Sequence, residues 1–183
     1  MTAGRTAVEA FEQEFEAVKR GAEKAIVQLD DAQLRACLNA ETNSVAVIMK
    51  HLAGNFCSRF TNFLTEDGEK PWRQRDGEFV DDFPAGAAGR AAVLARWEEG
   101  WACVRAALAP LTDADLGRTV TIRSEPHTVA RALARALAHA AYHQAQMVLI
   151  ARTTVGPGGW KTITIPRGQS AEYNRAKGHT PTA

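Results

Sequence analysis

Four stretches of this chain carry apolar side chains at intervals of three and four, and no other feature limits its fold as strongly. In the first, Arg5 to Leu29, the residues Val8, Phe11, Phe15, Val18, Ala22, Ala25, Ile26 and Leu29 recur with Glu and Lys between them. The same period runs through VAVIMKHLAGNFCSRFTNFL (Val45 to about Leu64), through Val93, Leu94, Trp97, Trp101, Val104 and Leu108 between Arg90 and Ala109, and through Pro126 to Arg152. A stripe at helical period is stable only when buried against another. The spacing therefore predicts an all-α fold, a four-helix bundle over residues 1–152. Asp30-Asp31 break the first helix, Asn43 or Ser44 caps the second, Pro110 follows the third and Thr128 caps the fourth.

The connections are less regular. Thr65 to Gly89 is a long link between the second and third helices, and its glycines and prolines break any helical period. Links of this length tend to be functional or disordered, and Trp72, Phe79 and Phe83 suggest an ordered flap anchored by aromatics. Arg73 or Arg75 of this flap could face an anionic substrate, because a guanidinium fork matches a carboxylate; the plainer alternative is a salt-linked solvated loop. TVTIR (Thr119 to Arg123) alternates in the manner of a strand and allows a small hairpin. Residues 153–183 are expected to form an extended tail, packed on the bundle or on a second subunit. Within it WKTITIP (Trp160 to Pro166) reads as a short strand that could pair with TVTIR, and the chain from about Arg175 reads as frayed.

At 183 residues, 45% hydrophobic and 23% charged, the chain suits one soluble domain. Its 22 basic and 21 acidic residues leave a net charge of +1, which gives no field to draw it to nucleic acid or a membrane surface. Three cysteines without a CxxC pair, Cys37, Cys57 and Cys103, suggest reduced thiols in a cytoplasm, most simply as small buried hydrophobes. The N-terminal residues form an acidic helical pattern without an apolar run, so neither an export signal nor a membrane span is expected.

The candidate chemistry lies in histidines. His139 and His143 stand four apart on the fourth helix, on the face with Ala132, Ala136, Ala140, Gln146, Met147 and Ile150 that the pattern marks as buried. Two imidazoles one turn apart can give a metal two nitrogens, and His51 on the second helix is the candidate third ligand. His51 belongs to a row of uncharged polar residues, Ser44, Asn55, Ser58 and Asn62, that suits either a wet cavity or a partly exposed helix edge. Three histidines leave a coordination position open, and imidazoles suit Zn, Ni, Cu or Fe rather than Mg or Ca. No HExxH motif, GxSxG elbow or phosphate-cradling glycine loop is present. A metal-dependent hydrolase would need a carboxylate at the metal, and neither histidine helix offers one facing it. His127 and His179 have no partner at ligand spacing.

One histidine in the second helix (KHLAGN) and HxxxHxxQ in the fourth (HAAYHQAQ), within a four-helix pattern, resemble the DinB-like superfamily, whose members are regarded as metalloenzymes. SVAVIMKHLAGNFCSRFTNFL, DGEKPWRQRDGEF and WKTITIPRGQS look like the blocks of one uncharacterised bacterial family within it. The resemblance implies a homodimeric four-helix bundle with Zn or Ni on His51, His139 and His143. It also implies a small-molecule substrate, since characterised relatives include S-transferases and an isomerase that use the low-molecular-weight thiols bacillithiol and mycothiol. The flap and tail blocks are not general to the superfamily. Asn55, Arg59, Arg73 and Gln146 are the candidates for substrate or outer-shell contacts, with a buried salt bridge as the alternative for Arg59 and a helix-edge amide for Asn55. The expectation is a thiol-dependent transferase acting on a small electrophile, and its rival is a non-catalytic metal-binding or dimeric scaffold.

Overall fold

A computed structural model describes residues 4–179. The chain is mostly helical, with α1 at Thr6–Ile26, α2 at Asp31–Leu34, α3 at Val45–Phe60, α4 at Gly86–Leu108, α5 at Val129–Val155 and α6 at Ser170–Ala176. A two-stranded antiparallel hairpin, β1 (Thr119–Ile122) and β2 (Glu125–Thr128), precedes α5, with Val120 opposite His127. Among the described residues no helix is long and apolar enough to cross a membrane.

Helix ends follow local chemistry. Ser44 Oγ accepts the Val47 N–H at the start of α3, and Thr128 Oγ1 accepts the Arg131 N–H at the start of α5. Helix α1 has no side-chain cap of its own, and Asp113 Oδ1, arriving from the link after α4, accepts the N–H groups of Ala7 and Val8 at 3.0 Å each. The second long helix stops at Phe60, short of the expected Leu64. The chain turns back at Asn62, whose φ of 50° is left-handed, and this returns Phe63 to the core. Helix α5 begins after Pro126, which β2 takes up, and runs past Arg152 to Val155, where Gly156 at φ 78° ends it.

Helix α3 packs along α4, α1 packs along α5, and α3 also meets α5. The core between them holds Phe15, Met49, Phe56, Trp97, Trp101, Leu133 and Met147, and both tryptophans are buried as their spacing implies. Helices α3 and α4 come close at one point for a definite reason. A Cβ on Gly100 would stand 2.5 Å from the Ala53 Cα, so only glycine admits this approach. Cys57 and Cys103 meet at the same interface with sulfurs 3.0 Å apart, whereas Cys37 is exposed rather than a buried hydrophobe.

The tail departs from expectation. WKTITIP forms no strand: the Gln28 side chain, in the turn just after α1, takes the Lys161 main chain, its Oε1 accepting the N–H at 2.7 Å and its Nε2 donating to the C=O at 3.0 Å. The strand β1 pairs with β2 instead. Helix α6 covers Arg175, where fraying was expected, and the tail beyond residue 179 lies outside the described residues.

The flap is tied to the hairpin by one carboxylate. The hairpin turns on Arg123 and Ser124, both at positive φ (56° and 63°), a two-residue geometry that normally selects Asn and Gly. Asp67 compensates by accepting the N–H groups of Arg123, Ser124 and Glu69 at 2.7 to 2.8 Å. Its partial burial raises its pKa, but these donors outweigh that and hold it at about 2. The folded pKa lies below the unfolded carboxylate value of about 3.9, so this stabilisation is full above about pH 4 and fades as pH falls towards 2. Asp67→Ala should cost about 2 kcal/mol in urea unfolding at pH 7. The gap between parent and variant should narrow as the titration is repeated from pH 5 down to pH 3; a gap independent of pH would contradict this account.

Candidate metal centre

The three histidines meet although they come from two helices. Helix α5 presents His139 and His143 one turn apart, and α3 presents His51 across the contact between the two helices. The Nε2 atom of His139 lies 3.3 Å from that of His51 and 3.1 Å from that of His143, and one ligand atom from each residue falls within 4.8 Å of the others. His51 and His143 are buried and His139 is half-buried.

The outward nitrogens decide the tautomers. His51 Nδ1 sits 2.9 Å from Glu78 Oε2, and an ionised carboxylate only accepts, so Nδ1 carries the hydrogen. His143 Nδ1 sits 2.7 Å from Gln146 Oε1, and the Gln146 amide is oriented by its Nε2 donating to the Tyr142 hydroxyl at 3.1 Å. In the neutral rings these tautomers leave both Nε2 atoms as bare lone pairs, facing a third nitrogen that can donate to only one of them. A cation resolves the conflict. Tetrahedral ligands about 2.0–2.1 Å from zinc stand roughly 3.3 Å apart, close to the two Nε2 separations found here. Burial pushes His139 down to about 3, helped by His143, His51, Arg73 and Arg59, and burial with His51 pushes His143 down to about 4 against the Gln146 hydrogen bond. Both are thus neutral at physiological pH, the form that binds a metal.

Glu78 is the residue that sequence reasoning missed. It comes from the flap, on a single 3-10 turn (Asp76–Phe79), and is buried. Burial raises its pKa, but hydrogen bonds from Arg73 and His51 outweigh that and hold it ionised. Arg73 grips it with two bonds, Nε to Oε1 at 2.8 Å and Nη2 to Oε2 at 2.9 Å. A carboxylate clamped in this way, on the far side of His51 from the Nε2 cluster, orients the imidazole and is a poor general base. No spacing rule connects it to a histidine 27 positions away. A weak signal was present in Gly54: a Cβ there would stand 2.3 Å from Glu78 Oε1, so the helix is bare where the carboxylate lies on it.

The flap is ordered, but not chiefly by its aromatics. Trp72, expected as an anchor, is 54% exposed, while Phe79 stacks on His51 with centroids 4.7 Å apart and Phe83 packs on the core. Charges hold the rest: Lys50 Nζ donates to the carbonyls of Gly77 and Val80 and to Asp82. Of the polar row on α3, His51 and Asn55 line a cavity, Ser44 caps the helix and Ser58 donates to the Gly68 carbonyl. Asn62, past the helix end, is exposed.

That cavity, of about 390 Å³, opens over the histidines. Among the residues singled out in the sequence, Asn55, Arg59 and Arg73 line it, and Gln146 stands behind His143 instead. Arg59 also pairs with Glu69 at 3.0 Å and donates to the Gly68 carbonyl, so the buried salt bridge and the cavity wall are the same side chain.

Gly54→Ala tests the clamp. Alanine favours a helix over glycine by about 1 kcal/mol, yet the new methyl must push Glu78 off His51. The variant should stay folded and lose about 10- to 100-fold in zinc affinity, read by competition with a chromophoric chelator. Unchanged affinity would show that Glu78 does not support the site.

No curated protein and no solved structure gives a significant match to the chain. A family model described as a protein of unknown function (DUF1572) matches residues 2–169. A match over nearly the whole length is decisive, and the chain belongs to the DUF1572 family.

Proposed function

We propose that this protein is a metal-dependent enzyme of the DinB-like superfamily, with α1, α3, α4 and α5 as its four-helix bundle. In this reading it works as a homodimer and transfers a low-molecular-weight thiol to a small electrophile. The observation that carries the metal reading is the set of three Nε2 atoms converging at the floor of an open cavity, two of them with their outward nitrogens already engaged. His51, His139 and His143 would hold a divalent transition metal, with Zn or Ni fitting the donor set best and Fe also compatible. Such a metal supplies acidity, lowering the pKa of a thiol so that its sulfur is a nucleophile near neutral pH.

The chain's own groups do the rest. Glu78 and Gln146 fix the two imidazole rings, Arg73 keeps Glu78 ionised, and Phe79 covers one face of His51. The cavity supports an enzyme over a closed scaffold, because a structural site has no need of open space beside it. The clamped geometry of Glu78 argues against a hydrolase that uses it as base.

Elemental analysis of the parent and of His139→Ala/His143→Ala comes first. About one zinc or nickel per chain is expected in the parent and almost none in the variant, at modest cost to folding because α5 keeps its apolar stripe. The metal-loaded parent should then conjugate bacillithiol or mycothiol to monochlorobimane at least 100-fold faster than the variant. Absence of metal after reconstitution would overturn the metalloenzyme reading, and bound metal without conjugation would favour the scaffold.

A further inference from the structure

The cavity above the histidines has a one-sided charge. Among the described residues five arginines line it, Arg59, Arg73, Arg75, Arg123 and Arg135, and no acidic residue does. The carboxylates behind them are fewer. Glu69 is shared by Arg59 at 3.0 Å, Arg73 at 3.4 Å and Arg123 at 3.1 Å, and Glu78 is taken by Arg73 and His51. Arg75 has only the exposed Asp76 at 3.8 Å, and Arg135 makes no ion pair or side-chain hydrogen bond among the described residues. Two guanidinium groups therefore keep donors to spare at the opening of a cavity whose inner wall is already cationic.

Their placement is not that of scattered surface charges. The Arg75 guanidinium stands 5.5 Å from the centroid of Phe79, and Phe79 stacks on His51 at 4.7 Å, so one ring contacts both the cation and the imidazole. Arg135 precedes His139 by four residues on α5, which sets it one turn, about 5–6 Å, along the same helix face. An oxyanion held by Arg135 would leave the rest of a short molecule reaching the nitrogens. A volume of about 390 Å³ is at the small end for ligand sites.

We propose that this cavity takes a small anionic molecule whose carboxylate or phosphate group is gripped by Arg75 and Arg135, with its reacting atom about one helical turn away beside His139. The proposal names the substrate class of the site described above and rests on that reading for its chemistry. Anion capture itself depends on the arginines.

The test is calorimetric titration of succinate, its uncharged analogue succinamide and inorganic phosphate into metal-free and zinc-loaded protein. Parent and Arg75→Ala/Arg135→Ala are compared, with zinc content and unfolding midpoint measured on each. Succinate or phosphate should bind the parent in both metal states, at least tenfold tighter than succinamide and more weakly as salt rises. The double variant should lose at least tenfold in anion affinity with zinc content and midpoint unchanged. Tighter binding of phosphate than of succinate would assign a phosphorylated ligand, and the reverse a carboxylic acid. Equal affinity for succinate and succinamide, equal affinity in parent and variant, or no binding of either anion would overturn the proposal. Arginine-dependent anion binding in a protein that takes up no zinc would keep this inference and remove the metal reading. One zinc per chain without such binding would do the opposite.

Discussion

The Glu78 carboxylate, held between Arg73 and His51 and pressed against the bare backbone at Gly54, is the interaction on which the site depends. It joins three things that no single element supplies. From the flap comes a charge, from α3 an imidazole and an opening in the helix surface, and the arginine keeps the charge from neutralising itself by taking up a proton. Without the arginine, a buried carboxylate would shift towards its neutral form and could donate to His51 as well as accept from it. The tautomer of His51, and with it the bare lone pair on Nε2, would no longer be set.

Charge balance explains why so polar a region can sit beside a packed core. Three guanidinium groups converge on Glu69, three N–H donors from Arg73 and His51 converge on Glu78, and Asp67 satisfies three main-chain N–H groups. Each carboxylate is oversubscribed, which keeps it ionised and leaves the arginine side in excess. The histidines respond in the opposite sense. Burial holds His139 and His143 neutral, with Arg73 and Arg59 adding to the effect at His139, so these two rings add no positive charge of their own. The result is a floor of imidazole nitrogens under a cationic wall, an arrangement suited to a metal below and an anion above.

How much of this was legible in the sequence depended on how local the causes were. The long helices followed from stripes of period near 3.6, and the caps at Ser44 and Thr128 from single hydroxyls. His139 and His143 were readable as a pair because their spacing is a property of one helix, and His51 because it stands out in an uncharged row. The failures share a cause as well. Glu78 acts across 27 residues through a turn that has no periodic signature, and Trp72 was credited with an anchoring role that charges perform. WKTITIP has the alternation of a strand but meets a glutamine side chain instead of a sheet edge, and alternation alone does not supply a partner.

The flap then has a clearer part than a cover. Its first section is fastened to the hairpin by Asp67, its middle to His51 by Glu78, and its last to α3 by Lys50. Arg123 at the hairpin turn reaches the cavity only because Asp67 holds that turn in a left-handed geometry. Arg73 lines it while gripping Glu78, and Arg75 lines it from the start of the 3-10 turn that carries that carboxylate. Two carboxylates facing away from the cavity thus decide which cations face into it. Within a segment of mixed charge, Asp67 and Glu78 are turned inward as braces, while Arg73 and Arg75 line the cavity.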